Sequence, residues 1–172
     1  AAIEEIRRRG ARVCHGVDAG DLASTLPHDL VPRGGFDRIV WNFPCVARGE
    51  DGEALADAQD GADGRGSVGE NRALVARFCA GATAPLAPCG EVHVTHKIGL
   101  QQWYIPREGA HATGGELQFA GAVIFDRAAY PPYRPRKAFA RKGFPTTDAR
   151  TFVFVKQWQR KQTPADEDVD DD

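Results

Sequence analysis

Apolar and polar positions alternate along the chain in short blocks whose spacing changes from helical to extended and back. In AAIEEIRRRG, Ile3 and Ile6 lie three apart on one helical face, the last turn is rich in arginine, and Gly10 follows. Cations suit the negative carboxyl end of a helix and glycine accepts the left-handed stop, so this block predicts a helix end. ARVCHGVD alternates enough to predict a strand ending at Asp18, and FDRIVWNF carries Ile39, Val40 and Trp41 as an unbroken apolar run, the pattern of a strand buried on both faces. Ser67 and Glu70 form an S-x-x-E capping pattern ahead of NRALVARFCAGA, where Leu74, Val75, Phe78 and Cys79 recur on one face. EVHVTHK, ELQFAGAVIF and TFVFV predict three more strands, with a short helix or turn over residues 101–111. Strands alternating with helices predict an α/β domain with a mostly parallel sheet. The last two strands have no helical pattern between them and should form an antiparallel edge pair.

Composition narrows the class. The 172 residues are 42% apolar and 27% charged, which suits one folded domain and not a disordered chain. Six of the last seven residues are acidic, so residues 161–172 are expected to be a solvated, disordered tail and the remainder, residues 1–160, a mildly basic folded domain. Cys14, Cys45, Cys79 and Cys89 show no C-x-x-C and no paired spacing with histidine, which predicts reduced thiols and no metal. With no apolar run of membrane-spanning length and no signal-peptide core, the sequence reads as soluble and not secreted. It contains no methionine and opens directly on a helical pattern, which reads as a piece of a longer chain.

Ligands of an open parallel sheet bind outside the carboxyl ends of its strands. The predicted ends are Asp18-Ala19, Asn42-Phe43-Pro44 and Thr95-His96-Lys97. Asn42 offers an acceptor and a donor on one planar group, Phe43 a flat face, and Pro44 a fixed backbone; together they could grip a planar heterocycle by its edge and by stacking. The plainer alternative is a strand exit in which Asn caps a turn. Asp18 could accept from a ribose or an adenine amino group, or merely cap the next turn. His96 and Lys97 could meet a polyanion or move a proton, or form a solvated end. Between Arg127 and Arg150, Arg134, Arg136, Lys137, Arg141 and Lys142 join those two arginines against one acid, Asp148, with Tyr130, Tyr133, Phe139 and Phe144 interleaved. Cations for phosphates beside rings for bases suit single-stranded or loop RNA, although a solvated loop has the same look. No P-loop, G-x-G-x-x-G or nucleophile elbow is present.

Several blocks, in order, resemble one family. HGVDAGDL, FDRIVWNFPCV, ENRALVARFCAGATAPLAPCGEVHVTHK, AYPPYRPR and ARTFVFVK are similar to the Rossmann-like domain of eukaryotic rRNA uridine-N3 methyltransferases of the yeast 25S rRNA type, from about Arg12 to Lys156. The resemblance implies a class I sheet and S-adenosylmethionine-dependent methylation of N3 of a uridine in large-subunit rRNA, by a monomer in the nucleolus or nucleus, with the cytoplasm as the alternative. It implies that Asp18 and Ala19 lie along the cofactor adenine, that Asn42, Phe43 and Pro44 lie where cofactor and target base meet, and that Arg134, Arg136, Lys137, Arg141 and Lys142 face RNA. His96 is a candidate proton acceptor. Two departures stand out: the family's first strand with its glycine loop has no counterpart in this sequence, and Cys45 replaces the histidine usual after the NFP. The competing functions are a non-catalytic RNA-binding or ribosome-assembly module and a nucleotide-sensing domain.

Overall fold

The computed structural model describes residues 2–46, 68–98, 104–131, 133–136 and 143–157. In chain order they form helix α1 (Ala2–Arg8), helix α2 (Leu22–Thr25), strand β1 (Phe36–Asn42), helix α3 (Val68–Thr83), strand β2 (Leu86–Lys97), helix α4 (Ile105–His111), strand β3 (Leu117–Ile124) and strand β4 (Ala149–Lys156). The acidic tail, Ser67 of the capping pattern, and Lys137, Arg141 and Lys142 lie outside the described residues.

The domain is mixed α/β, with four strands in the order β1-β2-β4-β3. β1 and β2 are parallel, and β4 runs antiparallel to both β2 and β3. Three strands thus share one direction and the expected antiparallel edge pair is present. The correction is that β4 also pairs with β2, so only one neighbouring pair is parallel. The reason lies in composition. β4 is an almost unbroken β-branched and aromatic run that gains by lying between two strands, whereas β3, with Gly121 and small alanines, is mostly exposed and takes the edge.

Three further expectations change. β2 begins at Leu86, five residues before EVHVTHK: Phe36 pairs with Leu86 but Arg38 with Glu91, so residues 87–90 form a bulge. Pro88 has no N–H to give a ladder and Cys89 sits at φ 61°, both suited to a bulge. ARVCHGVD forms no strand. Its Arg12 side chain instead binds the carbonyl and carboxylate of Asp29, and its backbone finds no ladder partner among the described residues. β1 is not buried on both faces: it is an edge strand among the described residues, with Val40 52% exposed and Ile39 and Trp41 half-buried.

The core lies on one side of the sheet. Val92, Val94 and Phe154 pack against Val75, Phe78, Cys79 and Ala82 of α3 and Ile105 of α4, with Trp41 edge-on to Phe78 at 4.7 Å. The period read for α3 holds for Val75, Phe78 and Cys79; Leu74 is half-buried. α4 comes close because Gly109 faces the Phe154 ring, which a Cβ at that position would meet at 2.6 Å. Where α3 ends, Lys156 donates to the carbonyls of Thr83 and Leu86 at 2.6 and 3.0 Å, putting a cation on carbonyls at the negative end of the helix. On the opposite face Glu91 accepts from Arg38 at 2.7 Å, with His93 at 2.9 Å, tying β1 to β2.

Two outcomes follow from this packing. Gly109→Ala must push α4 off Phe154 and should cost about 1–3 kcal/mol, read as a lower melting temperature by circular dichroism. Arg38, then His93, hold the Glu91 carboxyl below its ordinary value of 4.5. A carboxyl depressed in the folded state stabilises fully above its unfolded value and loses that contribution as pH falls through the folded one. Glu91→Gln should therefore flatten the acid limb of a stability–pH profile below about pH 4.5.

Candidate functional site

The ladders decide which chain segments meet. Asn42 pairs with Thr95, Lys97 with Ala149, and Ile124 with Arg150, so the carboxyl ends of β1, β2 and β3 and the amino end of β4 form one rim. The Asn-Phe-Pro and Thr-His-Lys ends expected to be functional are thus neighbours.

The rim turn is held at every residue after Asn42. Phe43 N–H donates to Thr95 O at 2.7 Å and so extends the ladder by one step. Its backbone then turns left-handed, at φ 55°, a conformation that costs an aromatic residue on the order of 1–2 kcal/mol. The half-buried ring meets Phe125 at 5.5 Å and Phe144 at 5.1 Å, edge-on in both cases. Pro44 is fully buried, and Val46 N–H donates to the side-chain oxygen of buried Asn71, on α3, at 2.8 Å. Asn42 itself is exposed, and its side chain has no hydrogen-bond partner among the described residues.

Behind it, the buried Thr95 hydroxyl shares a hydrogen bond of 2.8 Å with Thr151. His96 Nδ1 lies 2.6 Å from the carbonyl of Lys97. A carbonyl only accepts, so Nδ1 carries a proton. Lys97 pairs with Asp148 at 3.4 Å.

An aromatic cluster continues from Phe43. Phe125 lies parallel to Tyr130 at 5.6 Å and edge-on to Tyr133 at 6.1 Å. Burial pushes the Tyr133 hydroxyl above its ordinary value, so it stays protonated at neutral pH. Arg127, Arg134 and Arg136 are exposed on the same segment, and Arg136 makes an antiparallel bridge to Gly143. Cys79 lies within the core, where burial raises its thiol to about 12 and leaves it unreactive. None of the four cysteines forms a disulfide, and no cluster of metal-ligating side chains occurs among the described residues.

Asp18 and Ala19 lie elsewhere. The Asp18 carboxylate accepts from Gly20 N–H at 2.8 Å and from Arg77 at 3.1 Å, and Gly20 lies against Gly81 so closely that a Cβ there would meet its backbone at 2.8 Å. Arg77 and Gly81 are six and ten residues along α3 from Asn71, about 9 and 15 Å along its axis. The structure therefore does not bring Asp18 to the rim turn. Sequence reading missed Phe125, Asn71 and the Thr95–Thr151 pair. Only Asn71, a polar residue in an apolar helical stripe, carried a local signal.

This is an α/β domain whose strand rim combines a strained turn, an open amide, an aromatic cluster and flanking arginines. The chain belongs to the family described as BMT5-like, rRNA (uridine-N3-)-methyltransferase BTM5-like, whose model matches residues 1–137. It is also similar to the ferredoxin-fold anticodon-binding domain-containing protein 1 homolog of Mus musculus, 36% identical over 93 residues, which is 54% of this chain and 12% of that protein. Heavy metal-associated isoprenylated plant protein 41 of Arabidopsis thaliana is 29% identical over 158 residues, 88% of this chain and 27% of that one. An uncharacterised Arabidopsis thaliana protein is 25% identical over 160 residues, 90% of this chain and 70% of its own length. The chain thus spans only an eighth to about a quarter of the first two relatives.

Replacing Asn71 by leucine keeps the volume of the side chain but removes the acceptor of Val46 N–H. Leaving that donor unpaired should cost about 1–3 kcal/mol in urea unfolding, and should speed hydrogen exchange at Val46 more than at Val92 in the core.

Proposed function

We propose that this chain supplies the base-handling part of an S-adenosylmethionine-dependent methyltransferase that modifies N3 of a uridine in large-subunit rRNA, in the nucleolus or nucleus. The observation that carries this reading is the rim turn: a strained, fully tethered backbone that presents one open amide, in a chain of this family. The strand order supports it as well. One parallel pairing followed by a last strand inserted antiparallel beside the edge is in keeping with the carboxyl half of a Rossmann-like class I sheet, with the remaining strands continuing from the open edge of β1.

Uridine N3 lies between two carbonyls and carries a proton, so its lone pair is free only once that proton is accepted. The work left to the protein is largely positioning. The Asn42 side-chain oxygen accepts from N3–H while its amide donates to a neighbouring carbonyl, which sets the ring edge-on at the rim. Phe43 and Pro44 are positioning residues: ring contacts and burial fix the backbone from which Asn42 projects. His96, beside Thr95 at the end of β2, is the candidate to receive the proton. Arg134 and Arg136, together with Lys137, Arg141 and Lys142, hold the RNA backbone.

The described residues do not form a cradle for S-adenosylmethionine. The Asp18 carboxylate is taken by Arg77 and Gly20, and Ala19 sits with it against the far half of α3. A non-catalytic RNA-binding module is the reading this misfit favours if the chain acts alone.

Placed in the full-length protein, Asn42→Ala should lower uridine methylation of rRNA on the order of 100-fold with little change in the RNA concentration giving half-maximal rate. Unchanged methylation would remove Asn42 from the mechanism. Calorimetric titration of this chain with S-adenosylmethionine separates the two readings: no heat at millimolar cofactor, with RNA binding retained, leaves the non-catalytic module.

A further inference from the structure

Of the five described rings in the rim cluster, Tyr130 alone is exposed, at 58%. Its plane lies within 5° of the Phe125 ring at 5.6 Å, so Phe125 backs one face and the other opens to solvent. Two turns fix it there: Tyr130 N–H donates to Arg127 O at 3.1 Å, and Tyr130 O accepts from Tyr133 N–H at 2.7 Å. Upstream, Asp126 caps the same turn by accepting from Ala128 N–H at 2.8 Å. A flat face already set in place loses little entropy when another ring stacks on it. Exposed Arg127, Arg134 and Arg136 come from the same short segment, which is the charge that a phosphate backbone requires.

Phe43, by contrast, has its half-buried ring committed to two edge contacts. The exposed ring of the cluster is therefore Tyr130, two ring contacts away through Phe125.

We propose that Tyr130 is a stacking platform for an unpaired nucleobase near the nucleotide handled at Asn42, with Arg127, Arg134 and Arg136 neutralising the flanking phosphates. This rests on the RNA reading above and deepens it by separating two tasks. Asn42 reads an edge and confers base identity; Tyr130 offers a π-face and confers affinity for any base. Because Phe125 touches both Phe43 and Tyr130, the platform and the rim turn are held on one support, which fixes the spacing between the two nucleotides. The charge around the ring favours a polyanion over an apolar peptide.

The test titrates the chain with a short single-stranded oligouridylate carrying one 2-aminopurine, whose fluorescence is quenched on stacking. The wild-type chain should bind and quench. Tyr130→Ala should bind about 5- to 100-fold more weakly and lose the quenching, whereas Tyr130→Phe should keep both. Tyr130→Leu keeps an apolar cover over Phe125 without a π-face and should behave like the alanine variant, which separates stacking from folding; melting curves check that each variant folds. Wild-type affinity in Tyr130→Ala, or a Tyr130→Phe variant as weak as alanine, overturns the platform while leaving the RNA reading intact. If the wild-type chain itself fails to bind the oligomer, the RNA reading falls and the platform with it.

Discussion

The constraint on which the rest of the structure depends is that β2 is paired on both sides along the same stretch. From Glu91 to Thr95 it holds β1 in parallel register, and from Glu91 to Lys97 it holds β4 in antiparallel register. A one-residue slip in either ladder would turn Val92 and Val94 away from α3 and α4, so the apolar core fixes the register and the register fixes the rim. Because β4 runs the opposite way, its beginning, not its end, joins the ends of the other three strands. That reversal gathers two segments far apart in the chain, Asn42–Val46 and Phe144–Arg150, at one edge.

Within that rim the NFP turn is a point of stored strain with more ties than a strand exit needs. A left-handed phenylalanine persists only where its surroundings over-determine it, and here a ladder bond, two ring contacts, a buried proline and the Asn71 oxygen do so together. The same contacts make Phe43 a fastener between the strand exit and the arginine-bearing segment. Cys45, where the resemblance leads one to expect histidine, is half-buried, with its thiol directed at the carbonyl of Val46. It follows the turn without lying on its open side.

What was legible in the sequence was what short-range periodicity encodes. The stripe Val75, Phe78, Cys79 gave α3, and the β-branched and aromatic runs gave β1, β3, β4 and most of β2. The amino end of β2 was hidden because Pro88 and Gly90 have the look of breakers, when they are the residues a bulge requires. ARVCHGVD alternates like a strand, yet a strand exists only beside a partner, and the local pattern says nothing about partners. The apolar run Ile39–Trp41 announced burial that an edge position does not supply. At the rim, the position of Asn42 and Phe43 could be read because they end a strand. Phe125 and Asn71 could not, because their roles arise only when distant segments meet. Asp18 had two readings, and the structure gives its carboxylate a local partner in Gly20 and a distant one in Arg77 on α3.

The open edge of β1 has a bearing on how the chain behaves in company. Among the described residues its outer backbone N–H and C=O groups face no neighbouring strand, and such an edge is a template for another chain to pair with. Two charged residues of opposite sign, Asp37 and Arg38, both exposed, interrupt it near its start, while Val40, further along, is apolar and open. A strand added there, whether a further strand of the same sheet or one from a second copy, meets those charges at one end and the apolar stretch at the other. The charged half of β1 thus lies away from the rim, and the half that ends in Asn42 carries the apolar, open part of the edge.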